Sequence, residues 1–184
     1  LAPDADVNLP AAAANHVGRV LRLRAGAVIV AFDGSGNDYR CEILSVEGDA
    51  VRVRVGPRSS GLPESPLRIT LVQAVSRGER MDWTLQKATQ LGVRTIVPAL
   101  SARSGERLDD NQAEKKLRHW QAIVAGACEQ CGRSVVPEIR QPQELSQYLA
   151  SPTRDGQRLV LSPTGPASLA GLTSLGARVE LLIG

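Results

Sequence analysis

Three features of the sequence predict an α/β protein in which a small β module precedes the main domain. Up to about residue 58, short apolar runs are separated by Gly-rich turns, the pattern of a small barrel or curled sheet. Residues 57–66, PRSSGLPESP, combine three prolines with Gly61 and serines, the composition of a connection between domains. Beyond them, apolar strands alternate with stretches of helical period, which implies a mostly parallel sheet with helices on both faces. The expected division is a first domain at 1–58, a linker at 59–66 and a second domain at 67–184.

In the first domain, residues 11–21, AAAANHVGRVL, form a helix or helical turn. Val17, Val20 and Leu21 face inward, and His16, Arg19 and Arg22 remain available outward. Val28 to Phe32 is a short strand, and Asp33-Gly34-Ser35-Gly36-Asn37 a turn. Tyr39 to Val46 is the next strand. Gly48-Asp49 then leads into Ala50 to Val55, where Val51, Val53 and Val55 alternate with Arg52 and Arg54. Seven arginines balance seven acids over the first 58 residues, yet the arginines gather at 19–24 and 52–58. Two readings stay open here: a binding surface, or solvated faces without a ligand.

The second domain opens with Leu67 to Val75, a nearly continuous apolar strand of the kind covered on both faces. Ser76 to Arg80 is a polar loop. The next helix, Met81 to Leu91, buries Met81, Leu85, Ala88 and Leu91 and ends at Gly92. Thr95 to Leu100 is a strand, and Pro98 favours its end or the sheet edge. A polar loop with Arg103 and Arg107 precedes a long helix at about 111–131, whose stripe is Trp120, Val124, Ala127 and Cys131. A strand at Val135–Ile139, a helix at 143–150, a strand at 158–161 after Asp155-Gly156, a helical turn at about 167–173 and a strand at 178–183 complete the chain. Strand 178–183 either closes the sheet or leads to a loop and helix beyond Gly184, at the strand ends where ligands bind in this fold class.

Charge and composition exclude little. The net charge of +3 does not establish a nucleic-acid partner, although all but three of the 22 basic side chains are arginine. Five aromatic residues are too few for recognition of single strands mainly by stacking. There is no apolar run of transmembrane length, and the three cysteines do not make a disulfide scaffold. A cytoplasmic, membrane-free protein is expected.

The motifs admit plain alternatives. Cys128-Glu129-Gln130-Cys131 matches C-x-x-C, but a zinc site lacks further ligands and a redox motif belongs at a helix start. The two cysteines are therefore read as packing residues, with no metal. Neither G-x-G-x-x-G nor G-K-[ST] occurs, and His16 and His119 stand in no nucleophile-elbow context. Glu129, Gln130 and Arg133 lie where the long helix hands over to its strand, either a site or a C-cap with Arg133 set against the helix dipole. Arg77, Glu79, Arg80 and Lys87 lie at and after a strand end, placed to meet a phosphate-bearing substrate or simply solvated.

SRGERMDWTLQKATQLGVRTIVPALSARS and EKKLRHWQAIVAGACEQCGRSVVPEI closely resemble the bacterial ribosomal RNA small subunit methyltransferase E family. ANHVGRVLRLRAG, FDGSGNDY and ESPLRITL resemble its N-terminal region, so the likeness covers nearly the whole chain. The resemblance implies SPOUT-class enzymes that methylate N3 of one uridine in 16S ribosomal RNA with S-adenosylmethionine. It implies a PUA-like RNA-binding barrel, a trefoil-knot methyltransferase domain and a homodimer. The small ribosomal subunit or its RNA is the implied partner. Carried onto this chain, His16, Arg19, Arg22, Lys87 and Gln130 meet RNA. Arg77, Glu79, Glu129 and Arg133 serve the transfer, and Leu161, Ser162, Leu182, Ile183 and Gly184 meet the cofactor.

Two departures qualify the resemblance. Family chains begin earlier, with a basic first strand, and continue past Gly184 with PEGG and LGPR-x-LR-TE segments that tie the knot. The resemblance therefore implies a methyltransferase domain without its last knot segment, inactive by itself, with impaired cofactor binding. Ser162-Pro163 also replaces the commoner His-Pro. The competing reading is an RNA-binding or structural module of the same fold.

Overall fold

The chain divides into two units, Leu1–Pro63 and Glu64–Gly184, in a computed structural model that describes residues 1–101, 108–153, 156–165, 168–172 and 176–184. Arg103, Arg107, Asp155 and both flanks of the expected turn at 167–173 lie outside the described residues.

The first unit is a four-stranded antiparallel sheet built from β1 (Asp6–Asn8), β2 (Val28–Phe32), β3 (Asn37–Glu47) and β4 (Ala50–Ser60), in the order β1-β4-β3-β2. Alternation in β4 sends Val51, Val53 and Val55 into a core with Ile43, Cys41, Ala14 and Val17. Arg52 and Arg54 point outward, 3.4 and 3.2 Å from the Asp6 carboxylate. β4 continues through Ser60, and Arg58–Ser60 pair with β3 instead of forming the start of a linker. Pro57 is tolerated there because it falls at the irregularity between Tyr39 and Cys41, where its missing N–H has no ladder partner to leave unmet. The same irregularity presses the Arg40 carbonyl onto Gly56, where a Cβ would lie 2.2 Å from the oxygen.

α1 (Ala11–Asn15) passes into a π-turn over His16–Val20, closed by the Leu21 N–H on the His16 carbonyl at 2.9 Å. The wider turn shifts the register of the inward face. Val17 is buried, but Val20 and Leu21 are exposed, contrary to the inward placement that uniform helical spacing predicts.

The second unit is a parallel sheet in the order β7-β6-β5-β10-β9, with a further strand, β8, on β6. Its strands are β5 (Arg68–Ala74), β6 (Thr95–Leu100), β7 (Glu138–Ile139), β8 (Gln143–Glu144), β9 (Gln157–Val160) and β10 (Arg178–Ile183). On one face, α2 (Glu79–Gln90) and α3 (Asp110–Cys131) bury Met81, Leu85, Trp120 and Val124 against Leu71, Val75 and Ile96. On the other, α4 (Leu145–Ala150) packs Tyr148 and Leu145 on Val72, Val97, Ala99 and Leu182. Among the described residues, no helix is long and apolar enough to cross a membrane.

Local chemistry sets the helix ends. Asp109 caps α3 by accepting the Gln112 N–H at 2.8 Å, while the Gln112 side chain accepts the Asp109 N–H at 3.3 Å. Gly132, at φ 77°, closes the other end. The buried stripe of α3 runs through Cys128, leaving the predicted Cys131 half-buried at the last turn. α2 stops at Gln90, so Leu91 leaves the stripe and is 81% exposed; Val93 folds back in its place, its N–H on the Ala88 carbonyl.

Pro98 lies in an interior strand, not at an edge. The Arg94 and Ile96 carbonyls accept from Glu138 and Arg140, so the even residues of β6 face β7. Pro98 falls in the gap between β7 pairing, which ends at Ile96, and β8 pairing, which begins at Ala99. The predicted strand at 135–139 shortens to Glu138–Ile139, since Pro137 has no N–H to begin a ladder.

Candidate functional site

Parallel strands present all their carboxyl ends at one edge, and a crevice opens there where the strand order reverses. Here the chain proceeds outward from β5 to β6 and β7, and β10 lies on the other side of β5. Ile183 comes level with Gln73, and Gly184 lies so close to β5 that a Cβ would sit 2.7 Å from that of Ala74. Beside this junction is a cleft of about 620 Å³ whose lining includes Leu161, Ser162, Leu169, Leu172, Ile183 and Gly184. The Leu161 N–H extends the ladder onto the Leu182 carbonyl at 2.9 Å. Ser162 then bends the chain, its carbonyl accepting the Gly165 N–H at 3.2 Å and its Oγ the Thr164 N–H at 3.4 Å. Val160 and Leu169 are 70% and 55% exposed at this edge, an apolar wall left open to solvent.

Leu161, Ser162, Ile183 and Gly184, expected at a cofactor site, thus meet in one cleft. Leu182 does not line it: its side chain is buried on the α4 face with Val72, Val97 and Tyr148. Alternation along β10 sends its neighbour Ile183 the other way. Arg77 and Glu79 are exposed at the carboxyl end of β5, on the same edge of the sheet. The chain turns between them at Gly78, whose φ of 60° favours glycine. Glu79 also stands in the first turn of α2, where a carboxylate complements the positive helix end.

The second predicted cluster lies at the opposite edge. A helix that feeds a parallel strand delivers the chain to that strand's amino end, so the α3–β7 junction cannot reach the carboxyl-edge cleft. Arg133 is buried, and its guanidinium donates to both Glu64 oxygens at 3.0 and 2.6 Å. It also donates to the Thr89 and Val93 carbonyls at 2.6 and 3.2 Å. Arg133 is a clamp holding the entry to β5, the end of α2 and the start of β6 together. Hydrogen bonds and charge from Arg133 hold the Glu64 carboxyl below its ordinary value. Glu129 is exposed at this same edge.

Lys87 and Gln130 belong to the same edge. Lys87 Nζ donates to Gln90 at 3.0 Å, and Gln90 donates to Gln130 at 2.8 Å, joining α2 to α3. Near the other end of this helix pair, His119 Nε2 lies 2.9 Å from Asp82. In the first unit, His16, Arg19 and Arg22 are exposed on and just after the π-turn, and Arg19 is paired with Asp49. Arg22 adopts φ 54°, where the chain leaves the turn.

Cys128 is fully buried, and burial pushes its thiol up to about 11, the opposite of an activated thiolate. Among the described residues, no group of His, Cys, Asp and Glu could hold a metal ion. Glu64 escaped sequence reasoning because it sits in a Pro- and Ser-rich stretch, and its partner Arg133 is 69 residues away. Leu169 and Leu172 escaped it because a short 3₁₀ turn has no amphipathic period.

Two family descriptions match the chain: an RNA methyltransferase PUA domain over residues 9–56 and an RNA methyltransferase domain over residues 63–184. A ribosomal RNA small subunit methyltransferase E of Buchnera aphidicola from Schizaphis graminum is 29% identical over 97% of this chain and 72% of its own length. That of Bacillus subtilis is 31% identical over 73% of this chain and 53% of its own. Among solved structures, a Legionella pneumophila methyltransferase in complex with S-adenosylmethionine is 35% identical with a TM-score of 0.93, covering all of this chain and 76% of that one. A Neisseria gonorrhoeae ribosomal RNA small subunit methyltransferase E bound to S-adenosyl methionine is 33% identical with a TM-score of 0.89, over all of this chain and 75% of that one. Matches to both units and this likeness along its whole length mean that the chain belongs to the ribosomal RNA small subunit methyltransferase E family.

Proposed function

We propose that the protein methylates N3 of one uridine in 16S ribosomal RNA with S-adenosylmethionine, working as a cytoplasmic homodimer. The observation that carries this reading is the carboxyl-edge cleft. Its volume of about 620 Å³ suits a nucleoside-sized ligand, and its walls combine apolar side chains with the Ser162 hydroxyl and glycine backbone. Leu161, Leu169 and Ile183 would hold the adenosine and exclude water, and Ser162, Gly165 and Gly184 would supply polar contacts. When bound, the cofactor supplies a methyl group activated by its sulfonium.

The protein's contribution is then positioning and charge. A uridine imide that loses its N3 proton becomes an anion spread over two carbonyl oxygens. Arg77, exposed on the carboxyl edge, offers the positive charge that offsets it. Glu79, two residues on, is the carboxylate we assign to the transfer site, and the departing proton passes to solvent. Glu129 and Arg133 take no part in the chemistry, since they stand at the other edge. In residues 1–58, His16 and Arg22 are the RNA-facing groups, and Arg19 joins them by exchanging Asp49 for phosphate. Residues 67–184 carry the transfer. The target base must leave its stack to be reached.

The test uses 16S ribosomal RNA lacking the modification, cofactor labelled on its methyl, and residues 1–184 followed by the PEGG and LGPR-x-LR-TE segments that the resemblance implies; residues 1–184 alone are expected to transfer no label. Label is expected at a single uridine, which then halts reverse transcription because N3 can no longer pair. Label without a halt would disprove N3 as the acceptor. RNA binding without any label would make the protein a non-catalytic module instead. Ile183→Asp is expected to abolish transfer while RNA affinity persists, tying the chemistry to the cleft.

A further inference from the structure

The sheet face that carries α4 is apolar only toward its carboxyl half. Along β5 and β10 the side chains on this face are Arg68, Thr70 and Val72, and Arg178, Glu180 and Leu182, in matching register. Val72 and Leu182 enter the core beneath Tyr148. The amino half, which the six-residue α4 leaves uncovered among the described residues, forms a second concavity of about 710 Å³. Among the described residues its lining includes Arg68, Arg94, Arg140, Arg158 and Arg178 but two carboxylates, Glu138 and Glu180.

Those two acids are already engaged. Glu180 accepts from Arg158 at 2.8 Å, and Glu138 lies 3.5 Å from Arg140. Arg94 is paired outside the concavity, with Glu64 at 3.5 Å. Arg68 and Arg178 are exposed and, among the described residues, have no acidic partner. They are also cross-strand neighbours at the same register on adjacent parallel strands, whose backbones lie about 4.8 Å apart. Two like charges directly opposite one another destabilise a sheet. Their placement suits a ligand that brings the missing negative charge. The Thr70 hydroxyl stands on the same face as a further donor, while that of Thr95 already donates to Glu138 at 3.5 Å.

We infer that this arginine-floored concavity is a second RNA-binding surface, holding backbone phosphates through Arg68 and Arg178. Paired guanidinium forks match phosphate oxygens, and the surround is polar, unlike a groove for an apolar protein segment. Such phosphate binding carries no sequence information; it fixes the register of the RNA on the protein. The surface lies at the amino edge, about 20 Å along β5 from the carboxyl-edge cleft at 3.3 Å per residue. It therefore positions RNA without touching the reacting atoms. The inference rests on the RNA reading given above.

The experiment measures binding of 16S ribosomal RNA across a salt titration, comparing the unaltered protein with Arg68→Gln/Arg178→Gln. The double variant is expected to bind more weakly and to flatten the slope of log affinity against log salt by about 0.7–0.9 for each phosphate no longer neutralised. Arg68→Lys/Arg178→Lys, which keeps the charge, should retain most of the slope. The urea midpoint should hold or rise, because removing opposed like charges cannot weaken the sheet electrostatically; it distinguishes weaker RNA binding from a damaged fold. An unchanged affinity and slope in the double variant overturns the inference and leaves the RNA reading standing. Failure of the unaltered protein to bind the RNA overturns both. Protection of Arg68 and Arg178 from phenylglyoxal by polyglutamate but not by RNA would mark an acidic protein partner and equally overturn it.

Discussion

Replacing Arg133 by methionine separates a structural clamp from a catalytic group. The guanidinium makes two bonds to Glu64 and two to main-chain carbonyls, with its side chain only 9% exposed. Removing one member of a buried ion pair costs about 3–5 kcal/mol. Glu64 keeps Arg94 at 3.5 Å and is itself 17% exposed, so the lower figure, about 3 kcal/mol, applies. With a urea slope of about 1–3 kcal/mol/M, the midpoint should fall by about 1–3 M. Both tryptophans, Trp83 and Trp120, lie in the second unit, so fluorescence follows the affected unit alone. Glu64→Gln should lose a similar amount, and Arg133→Met/Glu64→Gln less than the sum of the two, because the uncompensated charge is gone.

A pH dependence accompanies this loss. The Glu64 carboxyl titrates below its unfolded value, chiefly because Arg133 hydrogen-bonds it. Its stabilisation is complete above the unfolded carboxylate value of about 4.3 and disappears as pH falls through the lower folded value. Arg133→Met should erase that acid limb. An Arg133→Met protein with an unchanged urea midpoint and no methyl transfer would refute the clamp and restore the catalytic assignment.

Other consequences follow from local geometry. Cys128, buried and raised to about 11, should resist a disulfide reagent at about pH 8 until the protein is unfolded; rapid native labelling at Cys128 would contradict its inert role. Gly56→Ala forces a Cβ to within 2.2 Å of the Arg40 carbonyl and should cost about 3 kcal/mol or more, read as lost hydrogen-exchange protection along β3 and β4. Asp109→Ala removes the cap of α3 and should lower second-unit stability by about 1 kcal/mol in urea. An unchanged midpoint would show that the cap is redundant.

Most of the secondary structure is legible in the amino-acid order, because burial on a sheet face or helix stripe repeats locally. Alternation along Val51–Val55 and the Trp120–Val124–Ala127 stripe both appear where their periods put them. Gly132 ends α3 for a reason visible in one residue. The local period misleads where a neighbour changes or continues it: the π-turn exposes Val20 and Leu21, and pairing with β3 draws Arg58–Ser60 into the sheet.

Which polar residues share a site is settled by the folded arrangement alone. Arg77 and Glu129 read alike along the chain, both polar residues at a junction between helix and strand. One follows a strand and the other precedes one, so a parallel sheet sends them to opposite edges. Arg133 looks like a helix cap until Glu64, 69 positions earlier, is brought against it. Arg68 and Arg178 become a pair only through register. Local period is written residue by residue, whereas strand order and direction come from packing of the whole unit, and a site inherits its membership from those.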